Sequence, residues 1–238
     1  MKTCVVWGQK NVTHQNVLWY ALFMTIDLNK KWYFQHEFQE RHFIRPFKQH
    51  QFVVRSHIHR LLGDSGWEVS AGMCLFLQSS NDPTVPTSLT IPELRPHIEF
   101  AYAQKLPRIS FDHRYRAEAR FFHNTNPTKT ELEDGYTFGN YRFRYRIQAT
   151  MRLLKITGNN YLKVKVSNEI HINAGKNITK NVFDQNRVFA GISLDLSPST
   201  ILEVGYMNWF QQKNNGNFYN RDILRVTAFY KLFSRKSS

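Results

Sequence analysis

The alternation of hydrophobic and polar positions is clearest between Asn140 and Leu153. Tyr, Phe, Ile, Ala, Met and Leu occupy every second position there, and Arg, Asn, Gln and Thr occupy the positions between them. Side chains alternate between the two faces of a β-strand, so this period of two gathers the apolar groups on one face. The stretch is also longer than most strands of soluble proteins. The pattern is typical of the wall of a transmembrane β-barrel, where one face meets lipid and the other lines the interior.

The same alternation recurs along the chain and gives about eleven strands. Short turns, such as 63–66 and 157–160, alternate with longer polar connections, such as 79–92 and 124–135. Membrane barrels show this asymmetry, whereas a soluble sheet with a solvated basic face has no reason to sort its loops by length. The sequence therefore predicts an all-β fold. We expect a single antiparallel up-and-down transmembrane β-barrel of about 10–12 strands, with short periplasmic turns and longer extracellular loops.

The number of strands stays open, because single-chain bacterial barrels have an even number and the pattern gives eleven. A twelfth strand would lie in the N-terminal residues or upstream. We expect the barrel to occupy residues 15–233 and a polar tail to occupy 234–238. Residues 1–14 are expected to be the remnant of a signal peptide or a short extra strand, because their apolar stretch is too short for a complete signal.

The charge and the cysteine content of the chain indicate which partners and cofactors to expect. The formal net charge is +14, but the basic residues stand singly at alternate positions rather than in runs, so we predict no nucleic-acid partner. The expected partners are outer-membrane lipids and lipopolysaccharide, with the barrel assembly machinery during insertion. Cys4 and Cys74 are too few for a disulfide framework and lie in no metal-binding spacing. No cofactor is predicted.

Short motifs in the last third of the chain resemble a known family. The segments Phe183–Ile192 and Leu202–Asn208 are similar to paired strands of the bacterial outer-membrane barrels grouped as domain of unknown function 2490 (DUF2490). The turn at Leu28–Phe34 and the segment Thr227–Phe233 look similar too. The resemblance implies an outer-membrane β-barrel, typically from Gram-negative bacteria of the Bacteroidota type, and it implies no activity.

The polar face of the predicted strands carries many charges of both signs. A barrel of ten to twelve strands is only somewhat wider than one that side chains fill, so these charges are expected to pair across the interior. The charged residues assigned to the interior are Glu37, Arg55, Glu68, Glu99, Asp112, Arg114, Arg116, Glu118, Arg120, Arg142, Arg144, Arg146, Arg152, Glu169, Arg187, Asp195 and Glu203.

Three functions fit this pattern. The preferred one is a structural outer-membrane protein of uncharacterised activity, whose interior is largely plugged by salt bridges. The first alternative is an arginine-lined, porin-like pore for small anionic solutes. The second is an outer-membrane lipid hydrolase, which needs a serine and a histidine together near the lipid-facing rim. The serines and histidines that lie close in sequence are Ser56 with His57 or His59, Ser110 with His113, and Ser167 with His171.

Overall fold

The computed structural model describes residues 10–86, 89–158, 160–176, 178 and 180–232. Most of the predicted signal remnant and the polar tail at 234–238 lie outside the described residues. No helix long and apolar enough to cross a membrane occurs in the described part of the chain. The strands are β1 (Val12–Asp27), β2 (Trp32–Phe43), β3 (Lys48–Leu61), β4 (Trp67–Gln78), β5 (Ile91–Lys105), β6 (Ile109–Thr125), β7 (Leu132–Thr157), β8 (Asn160–Ala174), β9 (Phe183–Asp195), β10 (Thr200–Gln212) and β11 (Phe218–Leu232).

These eleven strands form one closed barrel, which confirms the predicted all-β, up-and-down architecture. Each strand is antiparallel to its neighbours along the chain. Because the number of described strands is odd, β1 and β11 run in the same direction and close the sheet as a parallel pair. The pairing extends from Val12 opposite Phe218 to Ile26 opposite Leu232. An odd number is thus accommodated without a twelfth strand among the described residues.

The two ends of the barrel differ in their connections. At one end, here called the short-turn end, the connections are 28–31, 62–66, 106–108, 158–159 and 196–199. At the other, the long-loop end, they are 44–47, 79–90, 126–131, 175–182 and 213–217. The β6–β7 hairpin projects at the long-loop end, because residues 132–140 of β7 pair with β6 and not with β8.

Two strands begin earlier than the alternation alone indicates. The connection expected at 79–92 includes Pro92, yet Pro92 and Pro96 both lie within β5 and pair with β4. Proline lacks a backbone N–H, and the pairing of β5 with β6 is interrupted between Leu94 and His97. In β9, a β-bulge opposite His171 and Ile172 adds Asp184 to the buried residues.

The two faces of the barrel wall are sorted by polarity. The outer face exposes large apolar groups, including Ile98, Phe100, Tyr115, Tyr141 and Phe143, the last two with about half of their surface accessible (51% and 50%). Most of the buried side chains are polar or charged. The barrel is therefore apolar outside and polar inside, which is the reverse of an ordinary soluble domain.

Apolar side chains do occupy part of the interior. Their largest cluster consists of Val17, Trp19, Phe43, Phe189, Met207, Trp209 and Ile223. Gly191 and Gly205, which face each other across β9 and β10, leave room for the ring of Phe189. A Cβ added to either glycine would lie 2.6 Å from that ring, closer than side-chain atoms normally approach.

Candidate functional site: the barrel interior

Inward-facing residues of β5 to β8 form a dense set of ion pairs, which we call the ion-pair wall. The alternation of the strands brings the charges to the inner face, and the register of neighbouring strands sets each acid near a base. Glu99 lies opposite Arg116 across β5 and β6, with 2.6 Å between Arg116 Nε and the carboxylate. The members of the wall are Glu93, Arg95, Glu99, Arg114, Arg116, Glu118, Arg120, Arg142, Arg144 and Glu169.

Glu169 is the most heavily shared carboxylate of the wall. Arg114 Nη2 lies 2.5 Å from it, Arg144 Nη2 2.9 Å and His171 Nε2 3.1 Å. Arg144 also reaches Glu118 at 2.8 Å and so connects two acids. When a buried carboxylate is shared by several cations, removing one of these groups leaves buried charge that the remaining groups do not balance.

Other predicted interior residues pair outside the wall. Glu37 accepts a hydrogen bond from Arg55 and lies 3.1 Å from His57. Glu68 lies 2.6 Å from His59. The remaining pairs are Lys163 with Asp195 at 2.6 Å, Lys165 with Glu203 at 2.7 Å, and Arg225 with Glu203 at 2.7 Å.

Four predicted residues differ from the rest. Arg187 lies 3.9 Å from Glu169 and donates instead to Gln185. Asp112 and Arg146 line an interior cavity without an ion pair among the described residues. Arg152 is exposed near the end of β7, where the strand extends past the wall, and lies 5.0 Å over the ring of Tyr161. Arg152 therefore lies outside the enclosed part of the interior to which the sequence assigned it.

Several interior charges were not predicted. Glu93 and Arg95 lie between the two prolines of β5, directly after the connection expected at 79–92. Asp184, on the β-bulge of β9, lies 3.1 Å from Arg142. Arg41 and Arg221 lie on polar faces that the alternation does mark, so they could have been included on that signal.

A second group of cations packs against indole rings, and we call it the arginine–tryptophan cluster. It consists of Arg41, Arg187, Arg221 and Arg225 with Trp19, Phe189 and Trp209. The guanidinium of Arg41 lies 3.7 Å over Trp19, and that of Arg187 lies 4.5 Å over Trp209. Arg41 has no carboxylate partner among the described residues and donates to Gln39 and Gln51. For Arg41, the face of the ring and the amide oxygens take the place of an acid.

A network of hydrogen bonds crosses the long-loop end, and we call it the Asn81 cluster. Asn81, from the connection 79–90, accepts a hydrogen bond from Arg221 and contacts His50, each at 3.0 Å. Gln15 donates to the backbone oxygen of Asn81 at 2.7 Å. Arg221 also donates to Gln15 at 2.8 Å and to Gln211 at 2.5 Å. Nearby, Asp82 accepts bonds from the amide and hydroxyl of Thr84, which lower the pKa of that carboxyl group.

The space left inside is unevenly distributed. A cavity of about 640 Å³, here called the vestibule, reaches the short-turn end at Gly63 and Gly66. It continues into a central cavity of about 120 Å³, bordered by both the ion-pair wall and the arginine–tryptophan cluster. The Asn81 cluster lies beyond the central cavity, at the long-loop end. The interior is therefore wide at one end and narrow towards the other.

A family model described as "Protein of unknown function (DUF2490)" matches residues 16–220, which is most of the chain. The chain belongs to this family. Among curated proteins, no match was found. The family fixes no activity, so any function follows from the geometry of this interior and of the outer face.

The serines and histidines of the hydrolase alternative do not meet as proposed. Ser56 points away from His57 and instead lies 2.8 Å from His36 on the outer face. No carboxylate contacts His36 among the described residues, and its ring packs on Phe34 and Phe38. His113 bonds to Tyr145 at 2.9 Å, and His171 lies inside beside Glu169. A histidine without an orienting acid is a weak base for activating a serine.

Proposed function

We propose that this protein is an integral outer-membrane barrel with a structural role, and that its interior is closed to the passage of solutes. The observation that carries the proposal is the reversed polarity of the wall, with exposed rings such as Phe100 and Phe143 outside and buried ion pairs inside. Soluble monomers rarely expose apolar patches that continue over several strands. In this setting the outer face contacts lipid and the rims contact lipopolysaccharide and other headgroups.

Two features of the interior support closure. The ion-pair wall projects long side chains into the bore from β5 to β8, where Arg116 and Arg144 are buried. The Asn81 cluster then joins β1, β3, β10, β11 and the connection 79–90 across the long-loop end. We therefore favour a plugged barrel over the arginine-lined pore.

Membrane insertion can be tested on the refolded chain. The detergent-folded barrel is expected to migrate differently on a gel before and after heating, because membrane barrels resist unfolding in unheated sample buffer. A chain that folds as a monodisperse species in buffer without detergent would contradict the proposal.

A matched pair of substitutions examines the outer face directly. Val188, in the middle of β9, has 47% of its surface accessible. Val188→Arg is expected to destabilise the folded barrel in lipid by about 2–4 kcal/mol, because it places a charge near the bilayer centre. Leu132→Arg, on the projecting hairpin, is the control and should change the free energy of unfolding by less than about 1 kcal/mol.

Closure is tested separately by single-channel recording in planar bilayers. The wild-type barrel is expected to give no conductance steps. Regular steps with selectivity for anions would instead support the pore and refute the closed interior.

A further inference from the structure

We propose that the inner end of the vestibule is a binding site for a phosphate group, with Arg146 as its principal ligand. The inference goes beyond the structural role proposed above and rests on the cavities and on the contacts of Arg146. Binding without conduction is the expected behaviour, because the vestibule leads inward from the short-turn end and the Asn81 cluster crosses the far end.

The site lies where the vestibule meets the central cavity. Six residues border both spaces, and these are Phe23, Glu37, Arg114, Arg146, Gln148 and Arg225. Three of the six are arginines and one is an acid. That acid, Glu37, is already engaged by Arg55 and His57. The junction thus has an excess of positive charge facing open space.

Arg146 differs from the other two arginines of the junction. Arg114 lies 2.5 Å from Glu169, and Arg225 lies 2.7 Å from Glu203. No carboxylate lies within 4 Å of Arg146 in the described part of the chain, although Glu169 is its register partner on β8. Its Nε is buried and has no hydrogen-bond partner. A buried guanidinium donor without an acceptor costs free energy that a bound anion would recover.

The chemistry and the space both favour a tetrahedral oxyanion. The guanidinium group presents a planar fork of donors that matches two oxygens of a phosphate. Arg114 and Arg225 border the same junction and add positive charge, while Gln148 can donate an amide hydrogen. The vestibule, at about 640 Å³, leaves room for a small group esterified to the phosphate as well as for the free anion.

The test is isothermal titration of the refolded, detergent-solubilised barrel with inorganic phosphate, in a chloride buffer free of other oxyanions. Saturable binding to the wild-type protein is expected. Arg146→Gln should weaken it by about tenfold or more, as expected for losing hydrogen bonds to a charged group. The control is Arg152→Gln on the same strand, which removes the same group from an exposed position and should leave binding unchanged.

The outcomes separate cleanly. A parallel titration with glycerol phosphate distinguishes the sources, because tighter binding than that of inorganic phosphate indicates a phosphate monoester and weaker binding indicates the free anion. Arg146→Lys, which keeps the charge but loses the fork, should give an intermediate affinity if Arg146→Gln does not refold. Wild-type protein that shows no saturable binding, or binding that Arg146→Gln leaves intact, would overturn the proposal. Neither result bears on membrane insertion, which the gel-migration test addresses.

Discussion

The ion-pair wall and the arginine–tryptophan cluster solve the same problem in different ways. Both hold arginines inside a barrel, away from bulk water. In the wall, Arg144 lies within 3 Å of two carboxylates, Glu118 and Glu169. In the cluster, Arg41 is only 3% exposed and lies between an indole ring and two amide oxygens. The difference shows that a buried cation needs electron-rich neighbours, but those neighbours need not be acids.

The two regions should therefore respond differently to the loss of a cation. Removing an arginine from the wall leaves buried carboxylates with too little compensation, which is strongly destabilising. Removing Arg41 from the cluster leaves only rings and amides, which are neutral. Stability in the cluster should depend more on how the rings are packed.

The largest effect is expected for Arg144→Met. The substitution keeps much of the side-chain volume but leaves Glu118, among the described residues, with only Arg116 at 3.6 Å. We expect the free energy of unfolding to fall by about 3–5 kcal/mol. Urea unfolding in detergent micelles, followed by tryptophan fluorescence, measures the loss.

Two companion variants check the cause. Arg152→Met makes the same change at an exposed position and should cost less than about 1 kcal/mol. Adding Glu118→Leu to Arg144→Met should restore part of the lost stability, because the stranded acid is removed as well. A double variant less stable than Arg144→Met would argue against uncompensated charge as the cause.

An intermediate effect is expected for Gly205→Ala, which alters packing beside the cluster and no charge. The added Cβ would lie 2.5 Å from the backbone oxygen of Ala190 and 2.6 Å from the ring of Phe189. Overpacking of this kind should cost about 1–3 kcal/mol in the same unfolding assay. Ala190→Gly, a change of one methyl group on the exposed outer face, is the matched control and should cost less. Equal losses for the two variants would mean that packing around Phe189 is not the limiting feature.

The smallest effect is expected for Arg41→Met. The interactions with Trp19 and Trp209 and the hydrogen bonds to Gln39 and Gln51 are lost, so we expect a cost of about 0.5–2 kcal/mol. The measurement is again urea unfolding, now compared directly with Arg144→Met. If the two substitutions cost the same, the distinction between the wall and the cluster fails.

The sequence predicted the fold well because a barrel wall has a strong local signature. A period of two assigns a face to each residue without knowledge of any partner, which is why Arg55 and Glu99 could be placed on the polar face from the chain alone. Proline obscured this signal in β5, so Glu93 and Arg95 were missed. A β-bulge shifted the period in β9 and hid Asp184.

The pattern within single strands could not predict which acid pairs with which base inside the barrel. Glu169 meets Arg114 from two strands away, and that contact depends on the register of β6, β7 and β8 together. Register is set by the closed sheet and the turns rather than by any one strand. Arg152 shows the same limit. It lies on the polar face that the alternation predicts, but β7 extends beyond the ion-pair wall at that point, so the side chain is exposed.

The parallel pairing of β1 with β11 has a consequence for assembly. The other strand pairs join neighbours along the chain, so they can form hairpin by hairpin, whereas this seam joins Val12 to Phe218 and needs both ends of the sheet. Until the seam forms, β1 and β11 each present a row of unsatisfied backbone groups, and such edges pair readily with a strand from another molecule. The pairing of β1 with β11 is thus the step that decides between a closed monomeric barrel and a strand-swapped dimer.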